Sequence, residues 1–100
     1  MPDECPCAQR RMERPAAEYT DLIHRLNRIE GQIRGIRGMV ERSAYCTDIL
    51  TQVAAANAAL SAFSRVLLAE HIRSCVAADI RAGKDETVDE LIVTLQRLIK

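Results

Sequence analysis

Residues 46–81 read CTDILTQVAAANAALSAFSRVLLAEHIRSCVAADIR, and this stretch contains neither glycine nor proline. It predicts one continuous helix, with Ser43 as its N-cap and Gly83 at its end. At about 1.5 Å per residue, such a helix is on the order of 50 Å long. A rod of that length cannot bury its apolar residues against one neighbour from its own chain. The sequence therefore predicts a second chain beside it.

Two shorter amphipathic helices flank this rod. In the first, roughly residues 18–42, apolar side chains recur at spacings of three and four, at Tyr19, Leu22, Ile23, Leu26, Ile29, Ile33, Ile36 and Val40. Gly31, Gly35 and Gly38 each cost that helix about 1 kcal/mol relative to alanine, which favours close approach of another helix. The third, about residues 86–99, can be capped by Asp85 and repeats Val88, Leu91, Ile92, Leu95, Leu98 and Ile99. The predicted fold class is all-α.

The organisation of the chain follows from its composition. One hundred residues and 11.2 kDa allow a single domain. Residues 1–17 hold three prolines and two cysteines without an amphipathic period, which predicts a flexible N-terminal arm before a helical domain over residues 18–100. The net charge is zero, but residues 9–42 carry eight arginines and five acids, a surplus of +3. The first helix and the arm are therefore expected to be basic.

The sequence also indicates a compartment. No segment resembles a signal peptide, and no uninterrupted apolar run reaches about 18 residues. We expect a cytoplasmic protein without membrane contact, in which thiols stay reduced, so the four cysteines indicate metal or redox chemistry more than structural disulfides. The chain has no Ser/His/Asp set, no paired carboxylates at a site and no phosphate-binding loop, which argues against an enzyme with a small-molecule substrate.

Three potential metal ligands lie on one stripe of the long helix. His71 and Cys75 are four residues apart, and Cys46 lies 25 residues before His71 in nearly the same direction. Along the axis, however, Cys46 and His71 are about 37 Å apart, so one straight helix cannot bring them to one ion. Two identical antiparallel helices can, if facing positions sum to about 119. Such helices would cross near Ala59 and Leu60, within an alanine-rich run.

The chemistry of this ligand set leaves alternatives open. Two thiolates and one imidazole favour Cu(I) in trigonal geometry, or Zn(II) if a fourth ligand joins. A buried cysteine is also often a small hydrophobic residue without a ligand role. Because the predicted site joins two helices, gaining or losing a metal would change how two chains are held, which is the requirement for a sensor.

The sequence resembles a known family. LNRIEGQIRGIRGMVE, AYC followed by DIL, RVLLAEHIRSC and DELI are similar to the copper-sensitive operon repressor family, the CsoR/RcnR/FrmR group, over about residues 18–99. The resemblance implies a three-helix protomer, an antiparallel four-helix-bundle homodimer and a homotetramer made of two such dimers. It also implies that the metal-free tetramer binds operator DNA and that effector binding releases it, which derepresses export genes.

Within that family the chain is most similar to the Cu(I)-sensing branch. The resemblance implies that Cys46, His71 and Cys75 are the metal ligands. It further implies that Tyr45 and Glu90 lie next to the ligands and link them to the DNA-binding surface, with His71 donating its second ring N–H outward. The loop before Glu90 is about one residue shorter than in some relatives.

DNA binding is expected from arginines of the first helix and arm. Arg25 and Arg28 flank one side of its apolar stripe and Arg34 and Arg37 the other, a pattern that can neutralise phosphates. The family resemblance adds Arg65 and supports Arg25. A further basic position of some relatives is Ala62 here. No helix-turn-helix pattern is present.

Several other functions fit parts of the pattern. A persulfide or thiol-redox-sensing repressor of the same fold would use Cys46 and Cys75 without His71. A nickel or cobalt sensor would need more imidazole than His24 supplies, and a formaldehyde sensor would use the amine of Pro2. A copper delivery protein that does not bind DNA would use Cys5 and Cys7 as accessory thiols.

Overall fold

The computed structural model describes residues 14–99, which form three helices and no strand. The helices are α1 (Ala16–Glu41), α2 (Cys46–Arg81) and α3 (Glu86–Leu98). The predicted all-α fold with three helices is therefore confirmed. Of the predicted arm, residues 1–13 lie outside the described residues, and Ala16 and Ala17 already belong to α1.

Helix α2 is continuous but not uniform. Cys46–His71 is α-helical, Ile72–Val76 is a π-helix, and Ala77–Arg81 is α-helical again. The sequence pattern predicts one rod over these residues and gives no sign of a change in helix type, since it offers no glycine or proline there. A π-helix closes its turns with i→i+5 hydrogen bonds and is found mostly as a single turn inside an α-helix.

The described residues divide into two compact units, residues 14–67 and residues 68–99. The first contains α1 and α2 as far as Leu67. Its buried side chains are all apolar, namely Leu22, Ile29 and Ala56. The second contains the rest of α2 and α3, and it buries Cys75 and Val76 together with Glu70, Asp79 and Thr87.

The turn between α1 and α2 shows why α2 begins later than predicted. The Ser43 N–H donates to the Val40 oxygen at 3.1 Å, and the Ala44 N–H donates to the Met39 oxygen at 2.8 Å. These two bonds define a Schellman turn at the end of α1. Ser43 has φ 56°, the left-handed region. The prediction that Ser43 caps α2 is wrong, because this residue closes α1 and α2 starts at Cys46.

The turn between α2 and α3 has the same hydrogen-bond pattern, with glycine at the left-handed position. Gly83 has φ 75°. Its N–H donates to the Ile80 oxygen at 3.1 Å, and the Lys84 N–H donates to the Asp79 oxygen at 2.8 Å. The prediction that Gly83 ends the long helix is confirmed. Asp85 occupies the N-cap position of α3, but its side chain makes no capping hydrogen bond.

Large apolar side chains stay exposed on the helices of the first unit. They include Tyr19, Ile33 and Val40 on α1 and Leu50 and Leu60 on α2. By length and composition α2 could cross a membrane, a test that core helices of soluble proteins also pass, and 6% of its most apolar window is buried within the chain. Such a surface is typical of a helix whose cover lies outside its own chain.

Candidate functional site

Two of the predicted metal ligands lie where α2 changes helix type. His71 is the last residue of the first α-helical part and is half-buried, whereas Cys75 lies in the π-helix and is fully buried. The Ser74 hydroxyl donates to the Glu70 carbonyl oxygen at 2.8 Å and lies 3.8 Å from the Cys75 sulfur. Its single hydrogen is directed mainly to the Glu70 oxygen, so the contact with the sulfur is the weaker of the two.

The π-helix changes how these two side chains are aligned. In a regular α-helix, residues four apart differ by about 40° around the axis. The wider π turn between His71 and Cys75 alters that angle, and π turns are frequent at functional sites. The sequence predicts the spacing of the two residues but not their relative direction.

The two described cysteines differ in state. Cys46 is a free, exposed thiol at the first position of α2. Cys75 is disulfide-bonded, which differs from the expectation of reduced thiols. A metal binds the thiolate, so Cys75 becomes available as a ligand only after reduction.

The three predicted ligands do not form a metal site within one chain. Among residues 14–99, no group of three or more His, Cys, Asp or Glu side chains is arranged to hold an ion. Cys46 and His71 are the two ends of one α-helical stretch of 26 residues, so one chain cannot bring them to one ion. The ligand set stays a prediction that requires a second chain.

The other residues predicted near the metal are distributed as follows. Tyr45 immediately precedes α2 and is exposed. Glu90 is an exposed residue of α3, and its backbone oxygen accepts a hydrogen bond from Thr94 Oγ1 at 2.9 Å. Cys5, Cys7 and Pro2 lie outside the described residues.

The arginines predicted to bind DNA differ in their partners. Arg25 Nε lies 2.9 Å from Asp21 Oδ2, and Arg37 Nε lies 3.8 Å from Glu41 Oε2. Both are exposed pairs one helical turn apart and contribute little to stability. Within the described residues, Arg28 forms no ion pair.

These arginines also do not share one face of α1. Arg28 and Arg37 are nine residues apart, which places them on opposite sides of the helix, about 180° around its axis. Arg34 lies about 120° from Arg28 by the same geometry. One flat DNA surface therefore cannot use the whole predicted set equally.

A groove lined by both polar and apolar residues runs along the Arg28 side of α1. It has a volume of about 630 Å³ and is lined by Arg28, Gly31, Gln32, Gly35, Ile36, Met39, Arg42 and Gln52. All of these residues belong to the first unit. The spacing of Arg28 and Arg42 on one side of a helix was available in the sequence, but Gln52 comes from the following helix, and no sequence pattern links it to them.

Comparison with known proteins gives a consistent result. Residues 18–97 match the family model for metal-sensitive transcriptional repressors. The chain belongs to this family. It is 42% identical over 84 residues to the copper-sensing transcriptional repressor CsoR of Bacillus subtilis (strain 168), covering 83% of each chain.

Two solved structures of metal-responsive regulators resemble it as well. The Cu(I)-containing copper-sensing repressor CsoR of Geobacillus thermodenitrificans NG80-2 has a TM-score of 0.84 and 41% identity, over 90% of this chain and 95% of that one. The nickel-responsive transcriptional regulator InrS has a TM-score of 0.69 and 34% identity, over 87% of this chain and 96% of that one. The predicted family is confirmed, and membership of the metal-sensitive repressor family means a regulatory rather than an enzymatic role.

Proposed function

We propose that this member of the metal-sensitive repressor family is a Cu(I)-responsive transcriptional repressor of the cytoplasm. The observation that supports this most directly is the donor set on α2: the thiol of Cys46 at its first residue, and His71 with Cys75 at the π-helix. Thiolate and imidazole are the ligands that suit Cu(I), and the fully buried Cys75 would keep water from the ion. Relatives that sense copper support the choice of metal.

The proposed site needs two chains. Cys46 of one chain would meet His71 and Cys75 of a second chain in an antiparallel pair, with an equivalent site at the other end. The exposed Leu50 and Leu60 on α2 support such a pair, since they need cover. Two of these dimers would form the tetramer.

Regulation would follow from coupling between the metal site and the DNA surface. The metal-free assembly binds operator DNA through arginines of α1 and through Arg65 of α2. Ligands from two chains hold the bound ion, so metal binding favours one arrangement of the helices. If that arrangement binds DNA less well, DNA must weaken metal binding by the same factor, typically about 5- to 150-fold.

The test is an anaerobic Cu(I) titration against a competing chelator, on reduced wild type and His71→Ala, followed by binding to duplex DNA of the chain's own promoter. Loss of one ligand should lower Cu(I) affinity by more than roughly 100-fold, since loss of a residue behind a ligand already costs 10- to 100-fold. His24→Ala is the matched control, because His24 is an exposed residue of α1. Unchanged copper affinity and DNA release in His71→Ala would exclude the metal assignment.

A thiol-redox-sensing repressor is the second candidate, because Cys75 is disulfide-bonded, although that disulfide does not involve Cys46, which is a free thiol. Such a repressor would respond to peroxide or to a persulfide donor through Cys46 and Cys75, and His71→Ala would respond like wild type. A Cu(I) repressor instead loses Cu(I) affinity on oxidation and recovers it on reduction. A copper delivery protein that uses Cys5 and Cys7 would show no saturable binding to the promoter duplex.

A further inference from the structure

The groove along α1 carries the charge of a binding surface for an extended anion, because two arginines line it. Arg28 of α1 and Arg42, the C-cap residue of α1, both line it. Their backbone positions are 14 residues apart, about 21 Å along the axis and about 40° around it, so both side chains start from one side of the helix. The Arg42 guanidinium lies beside Gly38, one turn back towards Arg28. The groove between them is floored by Gly31 and Gly35.

The charges of this groove are not neutralised from within the described residues. No acidic residue lines it. Within residues 14–99, neither Arg28 nor Arg42 forms an ion pair, in contrast to Arg25 and Arg37. The groove therefore carries two guanidinium groups that can bind oxygen anions in bidentate fashion.

The glycines provide space that the chain itself does not use. A Cβ atom at Gly31 or at Gly35 would have no neighbouring atom within 4 Å. At Gly38 the added Cβ would lie 3.3 Å from an Nη atom of Arg42, so the absence of a side chain there gives the guanidinium its place. Interior glycines weaken a helix relative to alanine, and here they leave an open channel at the helix surface.

One polar group in the groove also lacks a partner. Gln32 Oε1 is buried and forms no hydrogen bond. A half-turn of this amide exchanges Oε1 with Nε2, which would then donate from the same position. Because this atom is buried, it marks an unsatisfied polar group behind the groove surface.

We propose that the groove receives the sugar-phosphate backbone of one DNA strand, with Arg28 and Arg42 binding phosphates and Gly31 and Gly35 allowing close approach to α1. The proposal rests on the proposed function, since it assigns the DNA surface of that repressor.

A second copy of the chain is the less favoured occupant. The exposed apolar residues of α1 lie on its other sides, with Leu26 about 180° around the axis from Gly35. An apolar contact between chains would use those sides and leave the groove open. Another chain would also have to neutralise Arg28 and Arg42, which an approaching phosphate backbone does directly.

The experiment uses four variants of the full reduced, metal-free chain: Gly35→Leu, Gly35→Ala, Arg42→Ala and the charge-matched control Lys84→Ala in the exposed α2–α3 turn. Binding to duplex DNA of the chain's own promoter is measured by fluorescence anisotropy over a series of salt concentrations. Melting temperature, sedimentation velocity and Cu(I) affinity are measured in parallel.

Gly35→Leu should fill the channel and lower DNA affinity at least ~10-fold, while both Gly35 variants melt roughly 4 °C higher because the helix gains a better helix former. Arg42→Ala should lower affinity to a similar extent and reduce the slope of log K against log salt by about 0.9 for each phosphate that the variant no longer neutralises. Lys84→Ala should bind DNA as wild type does.

Three results would contradict the groove proposal: wild-type DNA affinity in Gly35→Leu, a smaller assembly in Gly35→Leu, or an equal loss of DNA affinity in Lys84→Ala. A smaller assembly would identify the groove as a contact between chains. The two proposals fail separately. If Cu(I) does not release the wild-type protein from the duplex but the variants bind DNA weakly, the groove proposal is supported and the proposed function is excluded. If Cu(I) releases the wild-type protein and the variants bind DNA normally, the proposed function is supported and the groove proposal is excluded.

Discussion

Residues 14–67, the open unit, bury only apolar side chains, whereas residues 68–99, the enclosed unit, also bury polar ones. Both units expose large apolar side chains. The longer unit buries three side chains, all apolar, and the shorter unit buries five, of which Glu70, Asp79 and Thr87 are polar. An open apolar and basic surface suits contact with other molecules. An enclosed polar interior around the fully buried Cys75 suits a response to a small ligand.

The largest test of this contrast is the substitution Leu60→Glu in the open unit. Leu60 is exposed in the chain and lies close to the predicted crossing point of two antiparallel α2 helices. Each dimer would lose two buried leucines, at about 1.5 kcal/mol or more apiece, and two carboxylates would face each other. The dimer dissociation constant should rise at least ~100-fold in analytical ultracentrifugation. Ser61→Glu, on the neighbouring exposed position, is the control, and an unchanged assembly in Leu60→Glu would exclude this surface as the contact.

A smaller effect is expected from Ser74→Ala in the enclosed unit. The change removes the hydroxyl that bonds to the Glu70 oxygen and lies beside the Cys75 sulfur. Cu(I) affinity of the reduced protein should fall by roughly 10-fold in chelator competition, because groups behind a ligand orient it and tune its basicity. Thr51→Ala removes an equivalent bond, from Thr51 Oγ1 to the Thr47 oxygen at 2.8 Å, from the open unit. If the two variants bind Cu(I) with equal affinity, Ser74 has no part in the site.

The enclosed unit also buries a hydroxyl group whose removal should stabilise the protein. Thr87 is buried, and its Oγ1 has no hydrogen-bond partner. Thr87→Val replaces that hydroxyl with a methyl group of similar size and should raise the unfolding free energy by about 1 kcal/mol, since an unsatisfied buried hydroxyl costs about 1–3 kcal/mol. Thermal denaturation should show a melting temperature higher by roughly 4 °C. A lower melting temperature would mean that the hydroxyl is bonded in the assembled protein.

The smallest effect compares the two turns, one from each unit. Ser43 and Gly83 both adopt left-handed backbone conformations, but only Gly83 does so without a Cβ atom. Ser43→Gly relieves strain of about 1 kcal/mol and adds about 0.5 kcal/mol of unfolded-chain freedom, a net gain of roughly 0.5 kcal/mol. Gly83→Ala should lose roughly 0.5 kcal/mol by the same argument. Urea denaturation measures both, and changes of equal sign would contradict it.

The helices, the glycine at the end of α2 and the family can be predicted from the sequence, because they depend on local patterns. The helical periodicity can be read from neighbouring apolar positions such as Leu22, Ile29 and Ile36. The end of α2 can be read from the glycine at position 83 alone. The π-helix did not follow from the sequence, since Ile72–Val76 contains no helix breaker and the choice between helix types depends on the surroundings of α2. Ser43 was misplaced because serine suits an N-cap as well as a turn. The metal ligands remain a prediction because their meeting depends on a second chain.

If the proposed pairing of two chains covers the exposed surface of α2, the stability of this protein depends on its own concentration. Within the described residues 6% of the most apolar window of this helix is buried, so in the proposed dimer mass action would govern the folded fraction. On dilution the chains should melt at progressively lower temperatures, as expected when separation and unfolding are one event. In a cell that makes few copies, a larger fraction of the chains would then be unfolded. Proteases would degrade these single chains faster than paired ones.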